Sequence, residues 1–167
     1  MSQDPFPSAM RKALVLPDDI AAFIESGVSI ILAVVGPDGR AKAGRAVATR
    51  VVDGGAIRVM YPLDGNDAIT ASAQSGGPIA VTFSAPVSHR TIQLKAMASR
   101  AEQFDPQDGI SLGLQIDAFA AVLRAIGFPP PFVKSFCDNR SKSVGVVSFV
   151  PHAAFEQTPG PGAGREL

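Results

Sequence analysis

Apolar residues along this chain come mostly in short runs with a period of two, broken by glycine and proline, and only once in a long stretch at helical spacing. Residues 28–35 (VSIILAVV) are apolar and mostly β-branched, which predicts a strand buried on both faces. Gly36-Pro37-Asp38-Gly39 is a turn signal, and residues 40–52 return as a second strand. Asp53-Gly54-Gly55 turns again before a third strand over 56–61. Such short connections favour antiparallel pairing. Residues 79–84 (IAVTFS) give a fourth strand and 89–100 a fifth. In the fifth, Ile92, Leu94, Ala96 and Ala98 point one way, and Thr91, Gln93, Lys95 and Ser99 the other. Residues 144–150 (VGVVSFV) give a sixth.

Helical signals are fewer. Pro17-Asp18-Asp19 opens a short helix, with acids at its positive end, Ile20, Phe23 and Ile24 as its apolar stripe and Gly27 as its stop. A weaker pattern covers 64–74. The long helix starts at Asp105-Pro106 as N-cap and first-turn proline. Leu112, Ile116, Phe119, Leu123 and Ile126 then recur at helical spacing; Gly127 ends the helix and Pro129-Pro130-Pro131 forbids its continuation. The first 13 residues are polar and expected to be flexible, and 157–167 form a Pro/Gly-rich tail. The expected architecture is one mainly β domain over 1–167. Six antiparallel strands close into a barrel or sandwich, with short helices and one longer side helix.

Composition narrows the function. Fifteen basic and fifteen acidic residues cancel, so no electrostatic footprint for nucleic acid or an anionic membrane is present. Cys137 is alone, and His89 and His152 are the only histidines, so neither an internal disulfide nor a tetrahedral zinc site is expected. The longest apolar run is too short to span a bilayer and the N-terminus has no signal-type apolar core, so the expected location is cytoplasmic. No Gly-rich phosphate loop and no GxSxG elbow occur, and no catalytic residue can be named.

The remaining signal is cationic and lies on strands. Arg45 and Arg50 are five apart, so a regular strand sends them to opposite faces unless a bulge realigns them; the plain reading of both is a solvent-facing charge. Thr91, Gln93 and Lys95 share one strand face, which is either a binding face or a solvated one. Residues 62–67 lie where a strand feeds a helix, a place where backbone N–H groups can hold a phosphate. Asp64 and Asp67 would repel that anion, and their ordinary role is to cap the helix.

In their order along the chain these segments resemble the pyridoxamine 5′-phosphate oxidase-like family of FMN-binding split barrels, over roughly residues 20–164. Arg45-Ala46-Val47-Ala48-Thr49-Arg50 is similar to that family's basic second strand. Residues 61–67 fall at its phosphate-binding turn, and His89-Arg90-Thr91-Ile92-Gln93-Leu94-Lys95 is similar to its fifth strand. The ending 155–164 (FEQTPGPGAG) resembles that of small bacterial members. The resemblance implies a six-stranded antiparallel split β-barrel and a homodimer with two FMN sites at its interface. It gives a ligand-contacting set of Arg45, Val47, Arg50, Tyr61, Asn66, Thr91, Gln93 and Lys95. Arg45 would meet the phosphate or ring edge, Arg50 the phosphate, and Thr91 or Gln93 the isoalloxazine or ribityl chain.

One departure matters. The family's oxidases place a serine and basic residues in the turn after the third strand, whereas Leu63-Asp64-Gly65-Asn66-Asp67 contains no cation. Oxidation of pyridoxamine phosphate is therefore not expected. The leading expectation is an FMN-binding, oxidoreductase-like protein. The alternative is a non-catalytic module for haem, a deazaflavin or another anionic ligand, with His89 as the haem ligand; a ligand-free structural dimer is a third.

Overall fold

The alternation along the strands becomes two antiparallel sheets packed face to face in this computed structural model, which describes residues 13–138 and 143–167. In chain order they form α1 (Asp18–Ile24), β1 (Ser29–Val35), β2 (Ala41–Ala46), β3 (Ala48–Val51), β4 (Ile57–Pro62), α2 (Asp67–Gln74), β5 (Ile79–Ser84), β6 (Thr91–Ala96), β7 (Arg100–Glu102), α3 (Pro106–Ala125), α4 (Pro130–Cys137), β8 (Val144–Phe149) and β9 (Ala153–Glu156). One sheet has the order β2-β1-β5-β6-β9 and the other β3-β4-β8-β7. This is a split barrel: mainly β, two sheets around one core, not closed.

The count of strands differs from the six expected, for identifiable reasons. The second predicted strand breaks at Val47, whose N–H reaches the Met60 carbonyl at 2.8 Å as the chain passes from one sheet to the other. The fifth breaks after Ala96, where burial shifts phase by one residue: Ala98 faces out and Ser99 in. Arg100–Glu102 then joins the opposite sheet. β9 escapes notice because it is only four residues long and runs into proline and glycine. The tail folds back along it, with the Glu156 N–H on the Arg165 carbonyl at 2.8 Å and the Leu167 N–H on the Ala154 carbonyl at 2.9 Å.

Ile30, Leu32, Val34, Phe83 and Leu94 from the five-stranded sheet meet Ile57, Val59, Val147 and Phe149 from the other in the core. The expectation that β1 is buried on both faces is corrected. Ile31 and Val35 point outward and keep 44% and 46% of their surface exposed. Helix α3 covers the outer face of the four-stranded sheet, setting Leu112, Ile116, Phe119 and Leu123 against Val47, Ala48, Met60 and Val146. The prolines at 129–131 end α3 as expected and also open α4, which the sequence did not reveal; proline suits a helix's first turn.

Strand β3 is an edge strand, and side chains close its free edge. The Gln115 amide accepts from the Thr49 N–H at 2.9 Å and donates to the Thr49 carbonyl at 2.6 Å. The Glu25 carboxylate accepts from the Val51 N–H at 2.6 Å. Gln115→Ala leaves a buried donor and acceptor unpaired, at about 1–3 kcal/mol each, so a loss of about 2–4 kcal/mol is expected. A lowered denaturant midpoint at unchanged slope checks it.

Candidate functional site

The strand register of the five-stranded sheet sets one cross-strand row on its outer face. Arg45 lies beside Ile31, Ile31 beside Thr82, Thr82 beside Gln93, and Gln93 beside Phe155. Two residues further along, the next row reads Ala43, Ala33, Ala80, Lys95 and Ala153. The alanines alternate on this face with the longer side chains of Ile31, Gln93, Phe155 and Lys95. Polar groups on it bond to one another: Gln93 Nε2 donates to Thr82 Oγ1 at 3.0 Å, and Thr91 Oγ1 to Ser84 Oγ at 3.0 Å. Lys95 is exposed and lays its ammonium 4.6 Å from the centre of the Phe155 ring.

Arg45 ends this row under α4. Its Nη1 donates to the Phe136 carbonyl at 2.9 Å, and its guanidinium carbon sits 3.7 Å from the Phe136 ring centre. Phe136 continues a stack through Phe132 and Phe128, with centroids 5.4 and 5.0 Å apart. Arg45 shares a narrow crevice with Ser29, Val47, Phe119 and Cys137. Burial pushes the Arg45 guanidinium below its ordinary value, opposed by the Cys137 sulfur. Burial pushes the Cys137 thiol up, opposed by Arg45 and Arg124, so the buried sulfur stays a thiol at neutral pH.

Arg50 goes elsewhere. The break at Val47 carries it into the other sheet rather than realigning it with Arg45, and Arg50 lies on the outer face of the four-stranded sheet, beside Arg58. Both guanidiniums are held by the start of α3. Arg50 donates through Nε to Asp108 at 2.9 Å and through Nη2 to Asp105 at 2.5 Å. Arg58 grips Asp108 with two bonds, at 3.0 and 2.6 Å, and reaches the Gln103 carbonyl at 2.7 Å. Asp105 and Asp108 also form a reciprocal capping box for α3. Neither Arg45 nor Arg50 is the solvent-facing charge of the plain reading.

The turn before α2 holds itself together. Tyr61 is buried, with its hydroxyl 2.9 Å from Thr70 Oγ1. Asn66 is the N-cap of α2 without a side-chain cap bond; its amide donates backward to the Pro62 carbonyl at 2.7 Å. Capping by Asp64 or Asp67, the role expected of them, is not seen. Gly44 explains how closely β2 approaches: a Cβ there would lie 2.1 Å from Asn66 Oδ1.

The structure thus brings Arg45, Thr91, Gln93 and Lys95 to one face and leaves Arg50, Tyr61 and Asn66 off it, with Val47 in the crevice below Arg45. Arg58, Asp105, Asp108, Phe136 and Phe155 were missed by sequence reasoning. Three had a readable signal. The hairpin at 53–55 pairs Arg58 with Arg50, and Asp105-Pro106-Gln107-Asp108 spells a capping box.

No family model and no curated protein sequence matches the chain. Solved structures do. HupZ from Group A Streptococcus superposes with a TM-score of 0.53 at 13% identity, covering 90% of this chain and 100% of its own. A Lactobacillus delbrueckii protein named for pyridoxamine 5′-phosphate oxidase superposes with a TM-score of 0.50 at 16% identity, covering 84% of this chain and 93% of its own. The fold is the split barrel of the pyridoxamine 5′-phosphate oxidase type. The sequence resemblance implies FMN, and its phosphate can be set against the residues present. A phosphate does not fit the residues the resemblance assigns to it, because Arg50 is already bonded to two carboxylates and the turn at 63–67 carries two acids and no cation.

Among the described residues no helix is long and apolar enough to cross a membrane.

Proposed function

We propose that this protein is a homodimeric small-molecule binder that holds a planar, anionic ligand of flavin type on the outer face of its five-stranded sheet. The observation that carries the reading is the register that collects Arg45, Thr91, Gln93 and Lys95 on one face with a row of alanines. A ring system needs a flat apolar floor with a few polar groups at its edges. Gln93 and Thr91 supply the edge hydrogen bonds, and Arg45 and Lys95 supply positive charge. Ile31 and Val35 leave the same face apolar and open in a single chain. A second copy closing over it would bury them and give the ring its other wall. FMN supplies two-electron chemistry when bound; the residues here supply position and charge.

Quenching of flavin fluorescence tests the site. Lys95→Glu is expected to weaken FMN about tenfold. Its melting temperature should not change, because Lys95 is exposed. Unaltered affinity in both Lys95→Glu and Gln93→Ala would move the ligand off this face.

A second reading, a non-catalytic module for haem, a deazaflavin or another anion, is favoured by the same engaged Arg50 and acidic turn. Its haem version rests on His89, which is exposed in the β5–β6 turn with a left-handed φ of 61°. A haem spectrum that survives His89→Ala removes that version.

A further inference from the structure

The prolines that open α4 also shape a groove. The chain turns at Gly127, where φ is 98°, and the new helix packs back on α3 through Val133 and Cys137. Ile116, Ala120 and Arg124 recur at four-residue spacing and so form one ridge of α3. Val133 and Cys137 repeat that spacing on α4. Between the two helices lies an open groove of about 450 Å³. Small-molecule sites usually measure about 300–1,000 Å³.

The floor of the groove is apolar, made by Ile116, Ala120, Val133 and Cys137. Ala120 is the small member of a helix face whose other residues, Ile116, Phe119 and Leu123, are large, and this leaves the groove its depth. The rim is charged. Arg124 lines it from α3 and Lys134 from α4, and both are exposed. Neither enters an ion pair among the described residues. Arg124 lies close enough to Cys137 for its charge to act on the thiol, which sets the guanidinium at the groove. Asp117 and Asp138 line the groove too, but each already has a partner. Arg124 and Lys134 against Asp117 and Asp138 sum to zero. The pattern is therefore an apolar floor with two cations open to pairing and no excess of positive charge. It suits a single negative charge on an apolar chain; a doubly charged phosphate would also meet the two acids.

We propose that the groove between α3 and α4 is a second ligand site, which takes a small amphipathic monocarboxylate. The carboxylate meets Arg124 and Lys134, and the hydrocarbon chain lies on Ile116, Ala120, Val133 and Cys137. Burial of the chain supplies affinity, and the two cations fix its direction. This site is separate from the outer face of the five-stranded sheet and does not rest on the flavin-type reading.

The test titrates decanoate, below its micelle concentration, into the full chain by calorimetry, with the thermal midpoint as a second readout. Saturable binding of one decanoate per chain is expected, with a raised midpoint. Butyrate lacks the chain and decanol lacks the charge, and each should bind at least about tenfold more weakly. Arg124→Gln combined with Lys134→Gln should weaken decanoate at least about tenfold and leave decanol unchanged. Both positions are exposed, so the fold should persist; Lys134→Glu alone, with an effect in the same direction, serves if the double variant folds poorly. Four results overturn the proposal: no saturable decanoate binding by wild type, decanol binding as tightly as decanoate, unaltered decanoate affinity in the folded variants, or displacement of FMN by decanoate, which would put the carboxylate on the sheet face. If decanoate behaves as expected while FMN does not bind at all, the flavin-type reading fails and the groove stands.

Discussion

Asp108→Ala is expected to cost about 3–5 kcal/mol, the usual effect of removing one partner of a buried ion pair. Its carboxylate is fully buried and serves Arg50, Arg58 and the Asp105 N–H together. Truncation leaves Arg50 with Asp105 and Arg58 with the Gln103 carbonyl in place of their shared buried carboxylate, and removes half of the α3 capping box. Because α3 also closes the β3 edge through Gln115, the damage reaches both sheet and helix. Denaturant unfolding of wild type and variant measures it; a loss below about 1 kcal/mol would mean that the cluster contributes no more than an exposed ion pair.

The same residue sets an acid limit. Burial alone would raise the Asp108 carboxyl, but bonds from Arg58, the Asp105 N–H and Arg50 outweigh it and hold the group below the usual carboxylate value. A lowered folded value means that the stability is fully present above the unfolded value, near pH ~4, and is lost as pH falls through the lower folded value. Asp108→Asn should flatten that part of the acid unfolding profile.

The second large effect concerns assembly. Ile31→Glu puts a carboxylate in the middle of the alanine face, where Ile31 is 44% exposed in a single chain. The isolated fold should tolerate it, since nothing covers the residue. A dimer closed over this face should not, because a twofold axis places two such charges in one desolvated contact. Light scattering is expected to give a dimer mass for wild type and a monomer mass for Ile31→Glu, with flavin quenching lost in parallel. A wild-type monomer, or a variant that remains dimeric, would place the interface elsewhere.

Local pattern made much of this molecule readable. Ile92, Leu94 and Ala96 are buried by the alternation of their strand, and Leu112, Ile116, Phe119 and Leu123 by helical spacing. The face holding Thr91, Gln93 and Lys95 was readable for the same reason. What was not readable depends on contacts distant in sequence. Val47 carries no mark of a sheet corner, because its break follows from a bond to Met60 in another strand. The fate of Arg50 is decided by carboxylates 55 and 58 positions away. Arg45 is drawn under α4 by Phe136, 91 positions away, on a helix that the proline run concealed. In each case periodicity places the backbone, and tertiary partners decide whether a charge is free.

The most direct measurement is an equilibrium titration of FMN fluorescence with wild-type protein, with the mass of the complex taken by light scattering. The expected result is saturable quenching at one flavin per protomer in a dimer. Fluorescence that stays unchanged up to protein concentrations of hundreds of micromolar would contradict a flavin-type site on the outer face of the five-stranded sheet.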